Sequence, residues 1–250
     1  HDTQELFTQS DLLRRQLLAE NDLPVACQQE ADGQHQSTQH HIGGEKHAVE
    51  LGAALFVPGG AEAAKKLAAV LGVEAEETVR KVAVVKCSGT CDVTQPKEEY
   101  RGIQSCSAAK LLFGGPGSCT YGCIGYGDCA AVCPQKAISI DRGVAFVDAE
   151  SCIGCGLCAK QCPQGVIALV PETAKSVVAC SNRDKGTMTR KACSIGCIGC
   201  MKCAKNCEAD AITVSGNLAA IDYAKCTGCG KCAEVCTTGC IRLVDLAVHA

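Results

Sequence analysis

Tryptophan is missing from this 250-residue chain, methionine occurs twice, and phenylalanine and tyrosine occur four times each. Side chains able to fill one large interior are therefore scarce, which excludes a single big hydrophobic core and points to several small modules. No run of about 18 apolar residues is present, so no segment of the given chain spans a bilayer as a helix. A catalytic triad, a nucleotide fingerprint and a flavin motif are also lacking. Gly114-Gly115-Pro116-Gly117 has neither the Lys-Ser/Thr nor the strand-to-helix context of a phosphate cradle, and it reads as backbone lying close to a bound group.

Cysteine and glycine are abundant instead, with 23 and 26 copies. The cysteines are patterned. Cys197, Cys200, Cys203 and Cys207 repeat the spacing of Cys226, Cys229, Cys232 and Cys236, and each set is C-x2-C-x2-C-x3-C. Used twice, this run is the ligand frame of a two-cluster ferredoxin, in which the fourth cysteine of each run serves the other [4Fe-4S] cube. The expected sets are Cys197, Cys200, Cys203 with Cys236, and Cys226, Cys229, Cys232 with Cys207. Zinc favours two C-x2-C pairs with a longer loop between them and needs no third close cysteine, so a zinc-stapled structural protein is a remote alternative. A secreted disulfide scaffold fits these spacings poorly, and the expected compartment is reducing.

An earlier pair of arrays follows the same logic with one change. Cys152, Cys155, Cys158 and Cys162 keep the frame, whereas Cys119, Cys123, Cys129 and Cys133 lie on Cys193, Cys197, Cys203 and Cys207. Tyr126 stands where Cys200 does, and a phenol is a hard, high-pKa ligand unsuited to a cube. The expected substitute is Cys119, giving Cys119, Cys123, Cys129 with Cys162, and Cys152, Cys155, Cys158 with Cys133. A three-iron cluster is the alternative if Cys119 does not reach. Four [4Fe-4S] clusters result, and four cubes at about −2 each would take the formal charge from −3 to about −11. That sign argues against nucleic acid as a partner and favours basic docking faces.

Cys87, Cys106, Cys180 and Cys193 are left over. They read either as buried inert thiols or as the ligands of a fifth cluster, and both readings stand. Cys91 and Cys240 read as spare thiols.

The expected fold class is α+β: tandem two-cluster ferredoxin-like modules with short hairpins and helices, at residues 113–174 and 175–250. Residues 57–112 lead into them with a helix over Ala61 to Leu71 and a strand over Lys81 to Lys86, matched later by Lys175 to Cys180. A further short helix is expected around Cys106. Hairpins are predicted about Asp141-Arg142-Gly143 and Ser215-Gly216-Asn217. Residues 1–56 form an N-terminal segment with one amphipathic stretch (Leu12, Leu13, Leu17, Leu18) and a Gln- and His-rich linker from Gln28 to His47.

From about Val57 onward the chain resembles the B subunit of the Rnf complex, the ion-translocating ferredoxin:NAD+ oxidoreductase. The likeness is carried by Pro58-Gly59-Gly60-Ala61-Glu62, by Ser105-Cys106, by Cys119-Thr-Tyr-Gly-Cys-Ile-Gly-Tyr-Gly-Asp-Cys129, by Cys180-Ser-Asn-Arg-Asp-Lys-Gly, and by the run from Lys191 to Cys203. The resemblance implies an electron-relay subunit of a redox-driven Na+ or H+ translocase, without substrate chemistry of its own. It implies a soluble ferredoxin or another low-potential donor, membrane and peripheral partner subunits, and a place at the cytoplasmic face of the membrane. It also implies an anchor and a four-cysteine motif ahead of Pro58; residues 1–56 carry neither pattern, and Cys27 stands alone. The alternative function is a soluble polyferredoxin or the electron-input module of another oxidoreductase.

Overall fold

The computed structural model describes residues 79–247. The expected helix over Ala61 to Leu71 and the N-terminal segment lie outside the described residues.

Eight strands pair into four antiparallel two-stranded sheets, two per half of the chain. In the first half β1 (Lys81–Val85) pairs with β4 (Ile167–Pro171), and β2 (Ile138–Asp141) pairs with β3 (Val144–Val147). The second half repeats this with β5 (Ser176–Val178) on β8 (Ile241–Leu243), and β6 (Ile212–Ser215) on β7 (Leu218–Ile221). The strand expected to lead into the first module thus closes that module's sheet, with Val82 opposite Val170 and Val85 opposite Ile167. Pairing so distant in sequence leaves no local signal, since each strand reads only as a short apolar run.

Both hairpins turn in two residues. Arg142 (φ 42°) with Gly143 (φ 78°), and Gly216 (φ 54°) with Asn217 (φ 60°), take the positive φ that a type I′ turn requires at both places. Asp141 and Ser215, expected in the turns, are instead the last paired residues of their strands, opposite Val144 and Leu218.

The helices are single turns set by the cysteine runs. In the first half α2 (Asp128–Ala131) and α3 (Leu157–Gln161) carry Cys129 and Cys158 inward; in the second, α5 (Lys202–Lys205) and α6 (Lys231–Glu234) do the same with Cys203 and Cys232. Two further helices, α1 (Cys106–Lys110) and α4 (Gly186–Ala192), occupy the long connection after the first strand of each half. Those connections also join the halves. Thr94 bridges Cys193, its hydroxyl donates to the Ala192 carbonyl at 2.9 Å, and the Ser181 hydroxyl donates to the Lys86 carbonyl at 2.9 Å. Val82 and Val170 from one half meet Val177 and Leu246 from the other in a shared apolar cluster.

Gly154 marks how closely the cysteine loop of the first module approaches β1. Its φ is +68°, and a Cβ there would run into the Lys81 carbonyl. Gly165 has a similar φ of +65° but open space around it. Gly165→Ala is expected to cost only the left-handed penalty of about 1–2 kcal/mol. Gly154→Ala adds a backbone clash to that penalty and should cost distinctly more. Urea unfolding of the two anaerobic holoproteins checks the order; equal costs would contradict the close approach.

Candidate metal centres

Cysteines are a large part of the buried interior around the arrays. Cys197, Cys203, Cys232 and Cys240 belong to the core of the second half, and Cys129 and Cys158 to that of the first. Desolvation disfavours a thiolate, and burial pushes Cys158, Cys203 and Cys232 up and Cys123 and Cys129 to about 12. Such thiols ionise only when a cation replaces the lost hydration, which is the condition a metal site satisfies.

The thiols are gathered around separate pockets. One is lined by Cys133, Cys152, Cys155 and Cys158. A second is lined by Cys197, Cys200, Cys203 and Cys236, with Cys240 beside them. The third is lined by Cys207, Cys226, Cys229 and Cys232. In each the fourth cysteine of one run stands among three cysteines of the other run. They contain about 340, 320 and 350 Å³ of space. Backbone N–H groups point at the sulfurs: Ala83 N donates to Cys152 Sγ and Ala211 N to Cys207 Sγ, both at 3.4 Å. This donor set fits cubanes, which hold their thiolates apart at separate corners and accept N–H bonds at sulfur. Among the described residues no group of three or more such donors is placed to hold a single metal ion.

The remaining cysteines lie differently from the sequence expectation. Cys119 is not gathered with Cys129 and Cys162. It lines a pocket together with Cys87, Cys123, Cys180 and Cys193, at the junction of the two halves. Cys106, grouped by sequence with Cys87, Cys180 and Cys193, lies instead within electrostatic reach of Cys123, Cys129 and Cys162. The two cysteines have exchanged places. Each is held where it is by a polar side chain that the cysteine spacing does not reveal.

For Cys106 that side chain is Asp128, the residue before Cys129. Its carboxylate accepts from the Cys106 N–H at 2.9 Å, and from the Ser107 N–H and the hydroxyls of Ser105 and Ser107 at 3.0 Å each. Burial alone would raise its pKa, but the hydrogen bonds outweigh burial and hold the carboxyl below the usual range. Asp128 therefore ties the start of α1 to the start of α2. Tyr126, the residue in the place of a cysteine, packs on Tyr100 with ring centroids 5.8 Å apart, beside Cys106.

Cys119 is held by Asn182, whose Nδ2 donates to Cys119 Sγ at 3.3 Å. Sequence did carry one signal for this junction: Cys87-Ser88-Gly89 and Cys180-Ser181-Asn182 are matching tripeptides after matching strands. Gly117, of the glycine run, also lines the junction pocket.

Cys240 is no inert spare. It is 2% exposed, with its Sγ 3.6 Å from Cys236 Sγ. Its hydrogen bond to Cys197 is the main cause holding the Cys197 thiol down at about 6 and also pushes Cys240 up. Cys91 is disulfide-bonded, which corrects its reading as a free thiol.

The 4Fe-4S dicluster domain matches residues 118–166 and again 196–242. The chain is 46% identical over 168 residues to the B subunit of the Na+-translocating ferredoxin:NAD+ oxidoreductase complex of Acetobacterium woodii, covering 67% of this chain and 50% of that one. It is 48% identical over 169 residues to the B subunit of the proton-translocating ferredoxin:NAD+ oxidoreductase complex of Clostridium ljungdahlii, covering 67% and 60%. With the B subunit of the ion-translocating oxidoreductase complex of Methanosarcina acetivorans the identity is 39% over 168 residues, covering 67% and 64%. The chain thus spans between half and just under two thirds of the length of these curated relatives.

Fold and donor sets together define a tandem dicluster-ferredoxin iron–sulfur protein. Within that class, the chain is similar to the B subunits of ion-translocating ferredoxin:NAD+ oxidoreductase complexes.

Replacing Asp128 by Ala removes a charged acceptor from four donors of the α1 start. Hydrogen bonds to charged groups are worth about 1.5–3 kcal/mol, so a loss of at least that size is expected in denaturant unfolding of the holoprotein. Iron should be lost first from the cluster nearest Cys106. An Asp128→Ala protein with unaltered stability and iron would show that the contact positions nothing.

Proposed function

We propose that this chain carries low-potential electrons through five [4Fe-4S] clusters, as the relay subunit of an Rnf-type ion-translocating ferredoxin:NAD+ oxidoreductase. The ligand sets are Cys133, Cys152, Cys155 and Cys158; Cys106, Cys123, Cys129 and Cys162; Cys87, Cys119, Cys180 and Cys193; Cys197, Cys200, Cys203 and Cys236; and Cys207, Cys226, Cys229 and Cys232. Clusters of this kind supply reversible one-electron transfer and no bond-making chemistry. The chain holds them, shields them and connects them.

The observation carrying this reading is the continuity of the pockets. Helix α5 presents Cys203 to one pocket and is followed by Cys207 in the next, and α2, carrying Cys129, is followed in the same way by Cys133 in its pocket. The junction pocket is tied to each module by one hydrogen bond. Cys123 N donates to Cys87 Sγ and Cys197 N donates to Cys180 Sγ, both at 3.3 Å. In the second module Cys197 lines its own pocket and gives its backbone N–H to the junction, whereas Cys123 of the first module both lines the junction pocket and gives it its backbone N–H. A series of five centres follows, with exposed cysteines Cys155 and Cys229 in its two end pockets.

Ferredoxin oxidation, NAD+ reduction and Na+ or H+ movement belong to the complexes named for the relatives, and they come to this chain as partners' work. The donor proposed is a soluble ferredoxin, and the acceptors are further subunits at the cytoplasmic face of the membrane. Among the described residues no helix is long and apolar enough to cross a membrane.

Anaerobically purified protein is expected to contain about 20 iron and about 20 sulfide per chain. A figure near 16 would remove the junction cluster from the scheme, and one near 8 would end the tandem reading. Cys119→Ala should convert or abolish the junction cluster and spare both modules, whereas Cys106→Ala should damage the first module and spare the junction. Electron paramagnetic resonance of the two reduced variants decides between them, and damage to the first module in Cys119→Ala would reverse the exchange. Purification from native membranes together with hydrophobic subunits supports the relay; recovery as a lone soluble protein favours a polyferredoxin.

A further inference from the structure

The junction pocket has an approximate two-fold character written into its sequence. Cys87-Ser88-Gly89 and the Cys119-to-Cys123 run on one side answer Cys180-Ser181-Asn182 and the Cys193-to-Cys197 run on the other. The sulfur contacts follow the same pairing. Gly89 N donates to Cys87 Sγ and Asn182 N to Cys180 Sγ, both at 3.4 Å, alongside the matched bonds from Cys123 N and Cys197 N. The two tripeptides differ at one place. Position 182 carries an amide side chain, and position 89 carries none.

Asn182 is 2% exposed, and its orientation is fixed from behind. Its Oδ1 accepts from Asp184 N at 2.7 Å and from the fully buried Thr189 hydroxyl at 3.3 Å. A flipped amide would set its NH2 against the Asp184 N–H, so the NH2 must face the pocket, where it reaches Cys119 Sγ at 3.3 Å. A buried amide is costly unless it is paired, and a thiolate is the strong, charged acceptor that this one meets. On the opposite side, a Cβ added to Gly89 would lie 3.5 Å from Cys87 Sγ and 3.8 Å from Cys193 Sγ, so that position faces the same pocket without a side chain.

We propose that Asn182 is a potential-setting donor to the junction cluster through Cys119, making this centre easier to reduce than it would be without the amide. The physical reason is direct. An added electron increases negative charge on the sulfurs, and a fixed N–H dipole stabilises the more negative state. The bond acts from one half only, so the centre shared by the two modules is biased by a residue of the second. The Asn182 amide adds to the junction one donor that the counterpart position, Gly89, does not supply. This inference rests on the five-cluster reading.

The test uses full-length, anaerobically purified holoprotein and an EPR-monitored redox titration. The junction signal is identified as the one absent from Cys87→Ala. In Asn182→Leu, which is similar in size and cannot donate, the junction midpoint should shift to lower potential. The iron content should stay at the wild-type value and the other four signals should not move. A second measurement needs no variant: with 15N placed only in asparagine side-chain amides, pulsed EPR of the reduced wild-type protein should show nitrogen coupling at the junction signal. An unmoved midpoint at full iron content overturns the inference, and so does an absent 15N coupling. If Asn182→Leu loses the cluster, the labelling result decides alone. A wild-type iron content near 16 instead sinks the junction cluster itself, which separates that failure from this one.

Discussion

Thiols packed in a protein interior cannot readily ionise, because each would be both desolvated and repelled by its neighbours. That constraint governs this structure. Its core clusters are built around cysteines where another protein of this size would place leucine or phenylalanine, and several of these thiols are pushed well above their ordinary range. Iron is what permits the sulfurs to be charged there, so binding of the clusters and folding of the modules are one free-energy change. Four small two-stranded sheets and single-turn helices are enough secondary structure because their task is to hold loops around the cubes.

The same constraint explains the polar side chains that the interior retains. Asp128 is spent on one helix start and Asn182 on one sulfur. Both sit where a cysteine must be drawn in from a segment outside the repeating frame. A ligand inside C-x2-C-x2-C-x3-C is positioned by the loop itself. Cys106 and Cys119 come from the long connection between β1 and α2, and they need an external anchor. Cys240 is a third kind of case. It fills a place taken by Ala137, Val166 and Ala211 in the other copies, all of them buried, and it converts a packing position into a thiol contact with two cysteines of one pocket.

The junction between the halves gives the chain its continuity. Two independent ferredoxin modules would exchange electrons only by collision or by chance proximity. Here backbone bridges at Thr94 and Ser194, and the apolar contact of Val82 and Val170 with Val177 and Leu246, fix one module against the other. Within that fixed contact, five cysteines drawn from both halves line one pocket: Cys87, Cys119, Cys123, Cys180 and Cys193.

Sequence by itself determined the chemistry and the two dicluster modules, because iron–sulfur ligation is local: three thiolates two residues apart are meant for one cube. It also determined both hairpins, since a turn with positive φ leaves Gly or Asn in the text, although one strand end at each was misplaced by a residue. Tertiary structure alone decided where the unframed cysteines go. The replacement of a cysteine by Tyr126 is plain in sequence, and Cys119 is the nearest thiol along the chain. The folded chain places both cysteines by contacts distant in sequence. Asp128 holds Cys106 beside Cys123, Cys129 and Cys162, while Asn182, 63 residues from Cys119, holds that sulfur in the junction. The pairing of β1 with β4 across more than eighty residues is likewise invisible to periodicity. Both depend on contacts whose partners are distant in sequence, and only the folded chain brings them together.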